Sequence, residues 1–225
     1  MRTSVLSIPQ VRGPLRDGLD WAADPWRESA PQSMDFVLPQ THAFRPTVQF
    51  KLARDETCVA VLFRVQDQFV RSVCREVNGP VCQDSCVEWF VQPVPGKGYF
   101  NFEVNAGGCP HISYVEDPRR LPDGGLKKRR FPTPAETAGV RVLTSLPATV
   151  EPEIQTPVTW LALIVVPFAF FELFTGRVET SPGTIWRANF HTCADHTSHP
   201  RWLSWNPVGE HNFHRPEDFG DVCFE

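Results

Sequence analysis

Long hydrophobic runs are missing from this sequence of 225 residues. The longest apolar stretch, residues 160–171, is interrupted by Pro167 and falls short of the roughly 20 residues that a membrane-spanning helix needs. The N-terminal residues also lack the apolar segment that a secretory signal peptide carries. The sequence therefore predicts neither a transmembrane helix nor a signal peptide, and we expect no membrane partner.

An excess of positive charge is missing as well. The chain has 22 Lys and Arg against 26 Asp and Glu, which gives a formal net charge of −4. Nucleic-acid binding needs a basic surface that neutralises phosphates, so we expect no nucleic-acid partner. The single basic run, residues 127–130, is expected to be a solvated part of a loop.

Glycosylation sequons of the Asn-x-Ser/Thr type are absent, and the cysteine count of 7 is odd. Both features favour a reducing compartment. We therefore predict a cytoplasmic protein, or a secreted one if the true start lies upstream of Met1. The length and the apolar content fit one folded domain with a core of normal size over residues 1–225.

Short apolar runs separated by turn residues are present throughout most of the chain. Residues 1–45 contain five prolines, spaced closely enough to break any helix, and are predicted to form an extended lead-in, anchored by Trp21 and Trp26. The number and spacing of the runs that follow are typical of an all-β, antiparallel, jelly-roll-like β-sandwich. The predicted strands are 47–53, 57–65, 68–73, 86–92, 98–106, 110–115, 140–146, 158–166, 184–192, 201–205 and 221–224. A short helix is predicted over 168–174 and a long exposed loop over 116–139.

The polar faces of two neighbouring strands place two carboxylates together. Alternation along 98–106 puts Phe100 and Phe102 in the core and Glu103 on the outer face, and alternation along 86–92 puts Glu88 outward. One hairpin register sets Glu88 directly opposite Glu103, whereas a neighbouring register sets it opposite Asn101. Facing like charges destabilise a sheet, so the first register implies a cation, an arginine or a ligand between the two carboxylates.

A third strand, 184–192, supplies further polar side chains. Alternation places Arg187, Asn189 and His191 on one face, and Arg187 is the expected counter-charge of the carboxylate pair. Planar polar groups beside aromatic rings match the hydroxyls and the C–H faces of a sugar. The sequence therefore predicts a carbohydrate-binding face, with an ordinary polar sheet face as the alternative.

Several motifs resemble carbohydrate-binding module family 9, and most closely its stand-alone members. They run in consistent order from about residue 48 to residue 224: Gln83-Asp84-Ser85-Cys86-Val87-Glu88-Trp89-Phe90, Tyr99-Phe100-Asn101-Phe102-Glu103-Val104-Asn105, Trp186-Arg187-Ala188-Asn189-Phe190, Leu203-Ser204-Trp205-Asn206-Pro207 and Phe213-His214-Arg215-Pro216-Glu217-Asp218-Phe219-Gly220. The resemblance implies a β-sandwich that recognises sugar ends, association with xylan-degrading glycoside hydrolases, no required cofactor and bound calcium in some members.

Residue by residue, the resemblance makes Glu88, Glu103, Asn105 and Asn189 sugar contacts and Phe213 one wall of an aromatic clamp. The chain departs from the family pattern where the other wall, a tryptophan, is expected, because residues 81–82 are Val and Cys. Glu103 also replaces a basic residue. The predicted binding site is therefore Glu88, Glu103, Asn105, Arg187 and Asn189, with Trp205 and Phe213 as the apolar platform.

Three rival interpretations stay open. The late histidines and acids suggest a metal site, with Asp195, His196 and His199 as weak candidates, although their spacing matches no zinc motif. Glu88 and Glu103 could be the paired carboxyls of a glycoside hydrolase. A scaffold protein that has lost its sugar site is the third. We predict non-catalytic binding of glycan ends or short oligosaccharides in xylan-like polysaccharide catabolism, with a glycoside hydrolase as a possible partner.

Overall fold

Strands dominate the computed structural model, which describes residues 5–15 and 18–225. The described residues form sixteen strands and two short α-helices, α1 (Pro134–Thr137) and α2 (Phe168–Thr175). The strands are β1 (Leu6–Ile8), β2 (Gln32–Ser33), β3 (Phe36–Val37), β4 (Thr47–Arg54), β5 (Cys58–Asp67), β6 (Val70–Ser72), β7 (Cys86–Gln92), β8 (Tyr99–Asn105), β9 (Pro110–Arg120), β10 (Leu126–Arg130), β11 (Arg141–Thr144), β12 (Val150–Ile154), β13 (Val158–Pro167), β14 (Ile185–Cys193), β15 (Trp202–Ser204) and β16 (Gly220–Phe224).

Two large sheets pack face to face, as the sequence predicted. The nine-stranded sheet has the order β1-β16-β14-β7-β8-β9-β10, with β15 and β3 added beside β14. The five-stranded sheet has the order β11-β13-β5-β4-β2, and β12 pairs with β6 separately. Phe50 of β4 stacks on Phe190 of β14 with ring centroids 3.9 Å apart, so the inner faces of the two sheets share one core. The predicted β-sandwich is confirmed.

Alternation along β7 and β8 decides which side chains enter that core. Trp89 pairs with Phe102 across the two strands and Val91 pairs with Phe100, and all four are buried in the main apolar cluster. Their sequence neighbours therefore point to the outer face of the nine-stranded sheet. The outward residues of the central strands are the ones that build the site described below.

Helix α2 confirms the predicted helix over 168–174 and closes one end of the core. Pro167, at its N-cap, lies in extended conformation, and Phe170 and Phe171 bury their rings against the main cluster. The helix ends at Gly176, whose φ of +74° lies in the left-handed region that glycine adopts most readily.

The predicted loop over 116–139 is wrong. Strand β9 continues to Arg120, β10 returns antiparallel beside it, and α1 follows. Leu126 is the single buried residue of β10, and the next four residues are exposed and basic. A charged edge strand lacks the apolar alternation that identifies a strand in sequence, and such charges discourage pairing with another chain. Lys128 and Glu116 form a salt bridge of 2.6 Å across the hairpin.

The N-terminal segment is more ordered than a simple lead-in. Its three short strands extend both large sheets: β1 pairs parallel with β16, β2 with β4 and β3 with β15. Trp26 is buried against the outer side of the five-stranded sheet, and Trp21 packs partly buried beside it. The Lys51 ammonium donates hydrogen bonds to both tryptophan carbonyl oxygens at 3.0 and 2.9 Å. Residues 1–4, 16 and 17 of the predicted lead-in lie outside the described residues.

Across the described ranges, no helix is long and apolar enough to cross a membrane.

Candidate functional site

A row of buried polar side chains crosses the outer face of the nine-stranded sheet. Glu88 of β7 pairs with Glu103 of β8, which confirms the register that sets the two carboxylates opposite each other. The row continues to His191 of β14 beside Glu88 and to His111 of β9 beside Glu103. All four residues are buried, so the centre of this face concentrates ionisable groups in a setting with little water.

Each carboxylate of the pair has its own hydrogen-bond donor. The Cys193 thiol donates to Glu88 Oε1 at 2.9 Å, and the Asn101 amide donates to Glu103 Oε1 at 2.8 Å. Burial, and secondarily the charge of Glu103, raises the pKa of Glu88 well above its ordinary value. Two buried carboxyl groups that face each other on adjacent strands repel when both are ionised. The pair therefore favours a state that retains one proton.

A cleft of about 270 Å³ opens above the carboxylate pair. Trp202 and Phe213, both half-buried, give it aromatic surface, and Arg120 gives it a cation. The residues that line it are Cys82, Glu88, Phe90, Glu103, Arg120, Cys193, Asp195, Trp202, His211, Asn212, Phe213 and His214. The arrangement can accept and donate hydrogen bonds at its floor and pack a flat apolar surface at its walls.

Phe213 lies at the cleft as predicted, and its neighbours fix its position. Its ring stacks on that of His191 with centroids 3.9 Å apart. The next residue, His214, makes a 2.7 Å hydrogen bond between its Nδ1 and the Tyr99 hydroxyl. Burial, and then the charges of Arg120 and Arg129, lowers the pKa of His214 to about 3, so this anchor is neutral at physiological pH.

The aromatic platform differs from the prediction at one residue. Trp205 does not line the cleft: its ring packs edge-on against Phe190 and Phe50 at the core. Trp202 takes part in the cleft instead, and its indole N–H donates to Asp195 at 2.8 Å. The signal was present in the sequence, because Leu203 is buried and alternation along β15 sends Trp202 to the outer face.

Arg187 is not the counter-charge of the carboxylate pair, and that prediction is wrong. Arg187 pairs with Gln92, four residues along β14 from His191, which is roughly 13 Å from the carboxylate row. Its guanidinium donates to the carbonyl oxygens of Pro216, Glu217 and Phe219. It therefore holds the segment before β16 in place.

The amides of Asn105 and Asn189 are used within the protein. Asn105 Nδ2 donates to Asp84 at 2.8 Å, and its Oδ1 accepts from the Cys109 N–H at 2.8 Å. Asn189 exchanges hydrogen bonds with the backbone of Asn206 at 3.1 and 2.9 Å. Both side chains are fully buried and neither lines the cleft.

The weak metal candidates Asp195, His196 and His199 do not form a ligand group. Asp195 lines the cleft, His196 is exposed, and the His199 ring stacks on Phe69 with centroids 3.4 Å apart. Within the described chain, the potential ligand atoms that converge belong to Cys86, Glu88 and Cys193.

The position where a tryptophan wall was expected leaves the cleft open. Val81 is fully buried in a small cluster with Cys86 and Cys193. Cys82 is half-buried and lines the cleft without closing it. A groove closed by Val81 and Cys82 would have favoured the scaffold interpretation, and the two residues leave it open.

Comparisons with known proteins agree with this architecture. The model of carbohydrate-binding family 9 matches residues 25–224. A crystal structure of a protein from Bacteroides uniformis, assigned provisionally as carbohydrate-binding, is 27% identical with a TM-score of 0.81, over 98% of this chain and 99% of that one. No curated protein matches.

Two solved structures of a family 9 module from Caldicellulosiruptor kristjanssonii share the fold. The complex with glucose is 16% identical with a TM-score of 0.66, over 99% of this chain and 96% of that chain. The complex with cellotriose is 14% identical with a TM-score of 0.62, over 99% and 94%.

Proposed function

Because the chain belongs to carbohydrate-binding family 9, we propose that the cleft on the outer face of the nine-stranded sheet binds a sugar without cleaving it. The ligand is a glycan end or a short oligosaccharide. The cleft volume, about 270 Å³, lies just below the roughly 300–1,000 Å³ range that is typical of ligand pockets. That size favours a few sugar rings over the length of a polymer chain.

The observation that carries the proposal is the combination of the facing carboxyl groups and aromatic walls in one cleft. Glu88 and Glu103 offer oxygen atoms that can accept hydrogen bonds from vicinal hydroxyls, and a retained proton adds a donor. Trp202 and Phe213 offer apolar surface for the C–H face of a pyranose. Arg120 provides a donor that is always charged.

The wider setting is part of the same proposal. The family resemblance supports a role in polysaccharide catabolism, with xylan as the first polymer to test and a glycoside hydrolase as a partner. The sugars bound by the Caldicellulosiruptor modules support testing glucose and cello-oligosaccharides as well. All seven cysteines are thiols rather than disulfides, which supports a cytoplasmic location. The family also supports calcium as an ion to test.

Calorimetric titration tests the sugar proposal. Wild type, Trp202→Ala and Phe213→Ala are titrated with glucose, xylose, cello-oligosaccharides and xylo-oligosaccharides. Loss of one stacking ring should weaken the best ligand about tenfold. Trp21→Ala is the matched control, because this half-buried tryptophan lies on the other sheet. Absence of heat with every sugar, or equal affinity in all variants, would contradict the proposal.

The carboxyl pair also favours a second candidate, a retaining glycoside hydrolase. Such enzymes place two carboxyl groups about 5–5.5 Å apart, and one of them needs a raised pKa to donate a proton. Glu88 has that raised pKa and faces Glu103. This activity predicts release of reducing sugar from xylan or glucan that disappears in Glu88→Gln and in Glu103→Gln. No release by the wild type excludes this candidate and leaves the binding proposal intact.

A further inference from the structure

Two cysteines and a glutamate converge beside the cleft, which Glu88 and Cys193 line and Cys86 does not. Cys86 of β7 faces Cys193 of β14 directly across the strand pair. Glu88 follows Cys86 on the same face of β7, two residues along. One ligand atom from each of these residues lies within 4.8 Å of the others, and all three residues are buried.

We propose that Cys86, Glu88 and Cys193 bind a zinc ion. Thiolate sulfur and carboxylate oxygen are zinc ligands, at about 2.3 and 2.0–2.2 Å from the metal. Ligand atoms around a tetrahedral zinc ion are then roughly 3.5 Å apart, so side-chain rotations close the group around the ion. Calcium takes oxygen ligands, so two thiols select against it. The site is therefore distinct from any calcium site expected of the family.

The fourth coordination position of this zinc site faces the cleft. Glu88 and Cys193 both line the cleft, and so do Cys82 and Asp195. The Asp195 N–H donates to the Cys82 carbonyl oxygen at 3.1 Å, which keeps these two residues together at the rim. A water molecule or a ligand hydroxyl that enters the cleft can therefore reach the ion. This open position is typical of zinc sites with three protein ligands.

His191 supports the site from the next strand. It pairs with Glu88, is fully buried, and makes no hydrogen bond through either ring nitrogen to the described residues. A carboxylate that binds a metal is usually held by a hydrogen bond from a neighbour. His191 is the unused donor beside Glu88.

Binding must displace protons from the ligands. A thiol or a carboxylic acid must lose its proton before it can bind zinc. Zinc replaces the proton of each thiol and the proton retained by the carboxyl pair, and the protons go to solvent. Affinity should therefore rise with pH.

The test uses the reduced full chain and needs no sugar, so its result is separate from the sugar proposal. Competition with a chromophoric zinc chelator measures stoichiometry and affinity, and cobalt substitution reports the ligands. We expect one zinc ion per chain, a thiolate-to-cobalt charge-transfer band, and at least 100-fold weaker binding in Cys86→Ser and Cys193→Ser.

Cys223→Ser is the matched control, because Cys223 lies on β16 outside the cleft, and it should bind as the wild type does. The cobalt spectrum of the wild type keeps the test decisive if a variant fails to fold. A wild-type chain that does not compete with the chelator overturns the proposal. So does a cobalt spectrum without the thiolate band, or affinity unchanged in Cys193→Ser.

Discussion

The ring of Phe213 lies parallel to that of His191, with centroids 3.9 Å apart and an interplanar angle of 12°. One residue is half-buried at the cleft wall, and the other is fully buried in the sheet below it. The wall of the cleft therefore rests on an ionisable ring. Protonation of His191 would place a charge under Phe213 in a dry environment, which links the integrity of the cleft to pH.

We expect His191 to make the fold less stable in acid. Burial, and then the neighbouring His214, lowers the pKa of His191 well below its ordinary value. Below about pH 6.5 the unfolded chain takes up a proton there and the folded chain does not, so stability falls as pH falls. Between pH 6.5 and 5 this costs up to about 2 kcal/mol. Urea unfolding of His191→Phe should show a flatter pH dependence than that of the wild type, and an unchanged slope would contradict this expectation.

The carboxyl pair should act in the opposite direction. The raised pKa of Glu88 means that the folded chain keeps a proton that the unfolded chain releases above about pH 4.3, so stability falls as pH rises. Glu88→Gln should stabilise the protein at pH 8 by up to about 1 kcal/mol, with a smaller gain at pH 5. Thermal unfolding in the presence of a chelator measures this without interference from metal. A variant less stable than wild type at pH 8 would contradict the expectation.

A buried ion pair joins the end of β5 to the residue that precedes β15. Arg201 and Asp67 are joined by a hydrogen-bonded salt bridge in which both side chains are fully buried. Arg201→Met alone leaves an unpaired buried charge and should cost about 3–5 kcal/mol. The double variant Arg201→Met/Asp67→Leu should recover much of that loss, because no charge remains buried. Chemical denaturation of the wild type, Arg201→Met, Asp67→Leu and the double variant gives the coupling energy, and additive effects of the two single substitutions would count against this account.

Substitution of Asn189 distinguishes a structural role of this residue from a role in sugar binding. Its amide is satisfied by Asn206 and by the Phe190 N–H inside the protein. Asn189→Ala should therefore lower the free energy of unfolding by roughly 1–3 kcal/mol and leave the sugar affinity of the folded protein within about twofold. Calorimetry below the unfolding transition measures the affinity. A loss of sugar affinity as large as that expected for Trp202→Ala would instead show that Asn189 contributes to sugar binding.

The facing carboxylates could be predicted because their position depends on local information. Alternation fixes the outward residues of β7 and β8, and the short connection between them limits the register. The same rule applied to β15 identifies Trp202. Trp205 follows the polar strand β14 closely in sequence, and this closeness was the reason to expect it at the site. Alternation from Leu203 instead places Trp205 on the inner face, as the structure shows.

The position of Arg187 could not be predicted, because it is set by pairing with a strand far away in sequence. Its strand pairs with β7, about a hundred residues earlier in the chain, and the offset between the two strands decides which residue reaches Glu88. That offset places His191 there, and nothing local to residues 184–192 specifies it. Strand β10 could not be predicted for another reason: only Leu126 of this strand is buried, and its four exposed basic residues show no alternation of apolar and polar side chains.

The parallel pairing of β1 with β16 has a mechanical consequence. Leu6 pairs with Val222 and Ile8 with Phe224, so the chain enters this pair at one end and leaves it at the other. A force that pulls on the chain before β1 and after β16 loads the hydrogen bonds between them in shear, all at once, instead of peeling them one by one. A force applied through chain segments on both sides of this pair would therefore act in the direction in which the pair of strands resists separation best.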